Sequence, residues 1–420
     1  MTPPDLLVTN ARLLDPEAGT LVAGDLLVRE RRIAALGPGL AAPEGARVID
    51  ARGHVLAPAL IDSCVFRADI AAATAGGIAT MLLMPDQTPP LDDPALVERA
   101  ERLGKPRLWV RPLAAATRRL EGRELADLAL MQAAGAVGVA TGRGSIADTA
   151  VMLRLLRYAG GLGLVTVSHP EDAALVAGTV ATEGDMATRL GLPAAPAAAE
   201  ALAIARDLRL AALTGAPLHI PCVTTAEGVA LVRAAKAAEQ DVTAATAPPY
   251  CLLSDAALAG YRSFARLSPP LRADADRRAV VAALADGTID MLASRHDPRS
   301  SDEKRQPFAE AAPGDAGAAL LLPLGLSLVH QGLLSLERLV AAVTLAPARR
   351  FGLPGGRLQP DAPADLLLFD PDAPWRVESD RLPGLAGNTP FDGLGVQGRV
   401  LLLVKGGEIL HSAPEVPCHG

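Results

Sequence analysis

The chain has 420 residues, 50% of them hydrophobic and 21% charged, with a formal net charge of −7. That balance excludes an intrinsically disordered chain, and no basic stripe marks a nucleic-acid surface. No apolar run reaches the roughly 18 residues a membrane-spanning helix needs. No leader pattern is read at the start, and the cysteines at 64, 222, 251 and 418 show neither CxxC pairing nor disulfide spacing. A cytoplasmic protein with no nucleic-acid and no membrane partner is expected.

Residues 5–14 and 25–33 alternate and carry β-formers, and 48–53 lead into the middle region. There, short β-like runs alternate with helical stretches. Strands are predicted at 55–65, 78–84, 107–113, 137–141, 164–169, 219–224, 242–247 and 289–294. Helices are predicted between them, among them 94–103, 121–133, 146–158, a long region ending near 214, and 226–237. Residues 364–370 and 400–404 read as strands again, with Lys405-Gly406-Gly407-Glu408 as a hairpin turn. Eight repeated βα units favour a closed barrel over an open sheet. The fold class is therefore α/β: a (β/α)₈ TIM barrel over 56–351, a small β-sandwich built from both ends (1–55 and 352–412), and a flexible tail at 413–420.

Several words then stand out in order along the chain. They are Leu56-Ala57-Pro58-Ala59-Leu60-Ile61-Asp62, Ala75-Gly76-Gly77-Ile78-Ala79-Thr80, Met84-Pro85-Asp86, Ser268-Pro269-Pro270-Leu271-Arg272, Gly287-Thr288-Ile289-Asp290-Met291 and Asn388-Thr389-Pro390-Phe391-Asp392-Gly393. Together they resemble the dihydroorotase family of the cyclic amidohydrolase superfamily over nearly the whole chain. The resemblance implies a barrel of the metallo-dependent hydrolase type, with its chemistry at the carboxyl ends of the strands. It also implies a zinc ion that lowers the pKa of bound water from 15.7 to about 7.

The residues at those strand ends depart from what the resemblance implies. The family's first strand ends in Asp-x-His-x-His, whereas here Asp62 is followed by Cys64 and Phe66. Positions i and i+2 face the same way on a strand, so these two occupy the places of the ligand histidines. Cysteine can bind zinc and phenylalanine cannot. Thr141 and Gly142 stand where relatives carry a metal-bridging lysine or acidic pair, while His169 is kept. Cys222 replaces a ligand histidine, and Arg295 stands at the position of the metal-binding, proton-shuttling aspartate. Asp86 and Ser268 occupy the substrate-contacting asparagine positions, and the family's carboxylate-gripping arginine after the first strand has no counterpart unless Arg67 supplies it. Asp297 reads as a displaced replacement for the lost aspartate, and 300–305 as a solvated surface segment.

Three functional readings follow from these residues. The first is a non-catalytic dihydroorotase-like subunit of pyrimidine biosynthesis, not itself an enzyme and needing no cofactor. The resemblance implies that it would assemble with and support aspartate carbamoyltransferase, as a hetero-oligomer or homodimer. The alternative is an active zinc-dependent dihydroorotase or related cyclic amidohydrolase that hydrolyses a cyclic amide C–N bond, with Cys64, His169 and Cys222 as a repurposed metal site. The third is a binding protein for a pyrimidine intermediate, in a pocket that Arg295 makes favourable to anions. The bland reading of the cysteines is as small buried hydrophobes. His54, His330, His411 and His419 are read as structural or solvated.

Overall fold

The computed structural model describes residues 3–414. The amino-terminal segment supplies five strands, β1 (Leu6–Asp15), β2 (Thr20–Arg29), β3 (Arg32–Gly37), β4 (Arg47–Asp50) and β5 (Val55–Pro58). The first half of β1 pairs in parallel with β4, and the second half with β5. The change of neighbour falls at a register shift between Val8 and Ala11, where Asn10 takes a positive φ of 54°. Asparagine tolerates that conformation because its short amide bonds locally. Here the Asn10 amide donates to Asp50 at 3.0 Å, and the Asn10 backbone N–H donates to Asp25 at 3.0 Å.

Eight parallel strands follow as the barrel: β6 (Leu60–Val65), β7 (Ile78–Leu83), β8 (Trp109–Ala115), β9 (Gly138–Ala140), β10 (Val165–Val167), and, after an insertion, β13 (Leu218–Ile220), β14 (Val242–Thr246) and β15 (Met291–Leu292). The insertion holds a two-stranded parallel pair, β11 (Ala181–Thr182) and β12 (Ala194–Ala195), with the helix Asp185–Leu190 between them. The long helical region predicted up to about residue 214 is thus broken into three helices, Ala173–Val176, Asp185–Leu190 and Ala198–Thr214, the last being the long one. The helix expected at 121–133 likewise shortens to Leu128–Ala133. The preceding turn is held by the Thr117 hydroxyl, which accepts the Gly122 N–H at 3.0 Å.

The ring closes between β15 and β6 through side chains as well as backbone. The buried Asp62 carboxylate accepts the Ser294 N–H at 3.0 Å and the Ser294 hydroxyl, and the Phe66 N–H donates to the His296 carbonyl at 2.9 Å. Burial raises the Asp62 pKa, and the Ser294 hydrogen bonds oppose the rise. Inside the ring, Ile61, Cys64, Leu82, Leu113, Val167 and Met291 form a continuous apolar plug, so the barrel is a packed core and not a pore.

The carboxyl-terminal strands β16 (Leu366–Arg376), β17 (Gly395–Lys405) and β18 (Glu408–Ser412) return to the amino-terminal sheet, where β16 pairs antiparallel with β5 from Leu366↔Pro58 to Phe369↔Val55. Both chain ends therefore build one sheet, in the order β18-β17-β16-β5-β1-β2-β3 with β4 beside β1. Residues 55–58, predicted as the start of the first barrel strand, belong to this sheet. Residues 300–305 are a mostly exposed segment, as expected, apart from Lys304. Ser300 and Glu303 form a capping box on the short helix Ser301–Lys304, and Lys304 is only 2% exposed. Its ammonium donates to the Ser263 and Arg266 carbonyls, and burial brings its pKa down to about 8. No helix among the described residues is long and apolar enough to cross a membrane.

Candidate active site at the barrel mouth

Cys64 lies near the end of β6 and Phe66 directly follows it, Phe66 lining the cavity at the mouth. The Cys64 sulfur is fully buried, 3.8 Å from Arg295 Nη1. Burial lifts its thiol to about 11, and the arginine only partly offsets this, so it is a protonated thiol at neutral pH. The Phe66 ring carries two guanidinium groups, with the Arg143 carbon 4.0 Å and the Arg295 carbon 5.4 Å from its centroid.

Thr141, Gly142 and Asp86 make contacts between the loops of the mouth. The Thr141 hydroxyl accepts the His169 N–H at 2.9 Å, and the Asp86 carboxylate accepts the Arg143 N–H at 2.8 Å. Gly142 sits at φ +82°, and a Cβ there would lie 2.7 Å from Asp86 Oδ1, so glycine is what lets the carboxylate reach that loop. Asp86 is mostly buried, and burial raises its pKa.

His169 is kept, but its Nε2 lies 3.2 Å from Glu171. Glu171 accepts a hydrogen bond from Arg272 at 3.0 Å, and Arg272 stands 3.6 Å from Glu200, which also takes the Thr224 and Thr225 N–H groups at 2.9 Å each. All of these side chains are buried. In Glu171 burial is outweighed by His169 and Arg272, which hold the carboxyl below its usual range; in Glu200 burial wins and the pKa rises. Cys222 lies in an apolar cluster with Tyr250, Leu267 and Phe308, and burial pushes its thiol to about 12.

A cavity of about 140 Å³ opens beside this network, lined by Phe66, Arg143, Tyr250, Ser268, Arg295 and Asp315 among others. Arg295 is 9% exposed and adopts a φ of 51°. Its Nη2 donates to the Ser268 carbonyl at 2.9 Å, and among the described residues no carboxylate lies within ion-pair distance of it. Asp297, which reads as a displaced replacement for the lost aspartate, is clamped by Arg143 through both oxygens and by Arg299 at 2.8 Å. Arg67 is exposed and does not line the cavity; the following helix Ile70–Ala75 is capped by Asp69 instead.

These donor atoms do not fit a zinc ion in the position the family resemblance implies. One candidate thiol faces a guanidinium, His169 is committed to Glu171, and Cys222 is sealed in an apolar cluster. Among the described residues no three His, Cys, Asp or Glu side chains group so as to hold a metal ion. The structure brings Cys64, Phe66 and Arg295 close together and sets Arg143 and Asp315, which the sequence did not single out, at the same cavity. Arg143 follows the Thr141-Gly142 pair directly and could have been flagged. Asp315 lies in a Pro-Gly-Asp-Ala-Gly stretch with no chemical signature of its own.

Residues 53–228 match the family model described as dihydro-orotase-like. The dihydroorotase of Geobacter sp. (strain M21) is 38% identical over 97% of this chain and 100% of its own length. The dihydroorotase of Geobacter sulfurreducens is 39% identical, again over 97% of this chain and 99% of its own. Among solved structures, the L-hydantoinase (dihydropyrimidinase) of Arthrobacter aurescens superposes with a TM-score of 0.87 at 26% identity, covering 98% of this chain and 96% of that one. A D-hydantoinase from a Thermus species shares the fold at a TM-score of 0.82 and 23% identity, covering 97% and 95%.

The relatives correct the expectation of a non-catalytic subunit. Chains that align with this one from end to end are named as enzymes, so the expectation that it is no enzyme does not stand. The expectation of no cofactor falls with it, because the zinc that the resemblance implies belongs to that enzyme class. Altered strand ends speak only for those positions, whereas identity spread along the chain speaks for the whole. On that breadth of identity, the chain belongs to the dihydroorotase family.

Proposed function

We propose that the chain makes or breaks a cyclic amide C–N bond in a small ring bearing a carboxylate, a reaction of the dihydroorotase class, in the cavity at the barrel mouth. The observation that carries the site is Arg295, a buried guanidinium with no carboxylate partner among the described residues. Burying a cation without an anion is costly, and a ligand carboxylate supplies what is missing. A guanidinium has five N–H donors, and Arg295 directs one to Ser268 and another weakly to the Cys64 sulfur, which leaves donors for a carboxylate. Arg143, clamped on Asp297 and stacked on Phe66, lines the same cavity and adds positive potential.

The reaction itself is addition of water to the ring carbonyl and departure of the ring nitrogen, or the reverse. No step is routed through a metal, since the donor set does not fit one. The full-length dihydroorotase relatives support the reaction class. The test is turnover of dihydroorotate and carbamoyl aspartate by the purified protein, with and without added zinc, beside dihydrouracil, the same ring without the carboxylate. Turnover of the carboxylated ring that weakens at least tenfold in Arg295→Gln is expected. No turnover of any of the three compounds under either condition overturns the reading.

A further inference from the structure

Most acidic groups around the cavity already have partners. Asp297 is held by Arg143 and Arg299, Asp86 by the Arg143 N–H, Glu171 and Glu200 by Arg272, and Asp62 by Ser294. Asp315 differs from all of these. It lines the same cavity as Arg295, is 4% exposed, and among the described residues neither of its carboxyl oxygens completes a hydrogen bond. Its backbone, by contrast, is firmly held. Its carbonyl accepts the Asp297 N–H at 2.7 Å, the neighbouring Ala316 N–H donates to the Asn388 carbonyl at 2.9 Å, and the Asn388 amide donates to the Gly314 carbonyl at 3.0 Å. Gly314, at φ +147°, allows this close approach, since a Cβ there would lie 2.5 Å from the Asp297 carbonyl oxygen. A buried polar group normally finds a partner, and one held rigidly without any is poised for a ligand.

We propose, resting on the reading of the site given above, that Asp315 is the group that exchanges a proton with the ligand in this cavity. In ring opening, its carboxylate takes a proton from the water whose oxygen bonds to the ring carbonyl carbon. When the C–N bond breaks, the resulting carboxylic acid passes that proton to the departing ring nitrogen. One water is consumed, an open-chain ureido acid forms, and Asp315 returns to its starting state as the new carboxyl group ionises to solvent. Closure runs the same transfers backwards.

The surroundings suit that role. Burial is the chief cause that raises the Asp315 pKa, to about 7, which places both protonation states within reach at neutral pH. The Thr389 hydroxyl, close by without completing a hydrogen bond, opposes the rise, as do His296 and Lys304, while Asp297 adds to it. Arg266 and Arg299 flank the same loop, Arg266 accepting the Gly314 N–H at its carbonyl and Arg299 donating to the Pro313 carbonyl.

The test has two readouts on the whole protein, wild type, Asp315→Asn and Asp315→Glu. The first is the pH–rate profile for dihydroorotate and carbamoyl aspartate. The wild type is expected to show a limb near pH 7. Asp315→Asn is expected to lose that limb and a hundredfold or more in kcat with KM little changed, and Asp315→Glu to restore part of both. The second is calorimetric binding of orotate, a ring that cannot be hydrolysed, in buffers of different ionisation enthalpy. The wild type is expected to take up a proton near pH 7, and Asp315→Asn to bind without uptake.

Turnover with an unchanged profile and unchanged proton uptake in Asp315→Asn overturns the assignment of Asp315 and leaves the reaction class standing. No turnover, but proton uptake that disappears in Asp315→Asn, overturns the reaction class and supports Asp315 as the proton carrier. Neither turnover nor proton-linked binding overturns both.

Discussion

Two sides of the barrel mouth bury charge in opposite ways. On the side of β10 and β13, Arg272 meets Glu171 and Glu200, and threonine hydroxyls and backbone N–H groups fill the remaining sites. On the side of β15 and β6, among the described residues, Arg295 has no carboxylate and neither Asp315 oxygen completes a hydrogen bond, and a cavity lies beside them. The first arrangement explains itself as structure, because every charge is answered within the chain. The second is unanswered, and the difference locates the ligand better than the residue types do, since both sides use arginines and acids.

The largest effect separates the two arginines. Arg272→Met leaves two buried carboxylates without their cation and is expected to cost about 3–5 kcal/mol of stability, read from urea unfolding. Arg295→Met removes a cation that had no partner, so stability should change by no more than about 1 kcal/mol while binding of a carboxylated ring is lost. Equal destabilisation by both substitutions would break the comparison.

Asp315 sharpens it through pH. Its pKa in the folded chain, about 7, lies above the ordinary 3.8. The native state therefore keeps a proton that the unfolded chain has released, and stability falls as pH rises through that window. Asp315→Asn should accordingly raise the unfolding free energy at pH 8, by at most about 4 kcal/mol, and do little at pH 4, read from urea unfolding at both pH values. An equal shift at both pH values would show that the carboxyl is already ionised or already paired.

The smallest effect concerns the thiols. Cys64, with its pKa lifted to about 11, should react slowly with thiol reagents at pH 7 in the native state and quickly once unfolded. Cys64→Ser should cost about 1 kcal/mol and leave the zinc content of purified protein unchanged. A fall in bound zinc would make that sulfur a ligand and reverse the reading of the donor set.

The barrel was legible because its strands are apolar runs separated by helical stretches, and the family words fall at the strand ends. Strand alternation puts Cys64 and Phe66 on one side, and the family resemblance implies Arg295 at the same mouth. What those residues do there was not legible. Nothing in the spacing shows that Asp86 crosses to the Arg143 N–H, that Thr141 receives the His169 N–H, or that Lys304 turns inward from a charged run. Such contacts join different βα units, so only the closed ring creates them. Asp315 escaped for the same reason, because its importance comes from lacking a partner, and a sequence does not record that. The identity of the chain's relatives also outweighed the reading of individual strand ends, since changed ligand positions invited a conclusion about the whole enzyme that full-length similarity does not support.

The pairing of β5 with β16 has a consequence for synthesis. At about 5–20 residues per second, the chain between these strands takes tens of seconds to emerge from the ribosome. Through that interval β5 has β1 on one side and an open row of backbone donors and acceptors on the other, the kind of edge that recruits stray strands. The last strands to be made therefore act as a late-arriving cover for the first. A chain halted before Leu366 would present that edge permanently, so aggregation of truncated products, and not loss of the barrel, is the hazard this architecture carries.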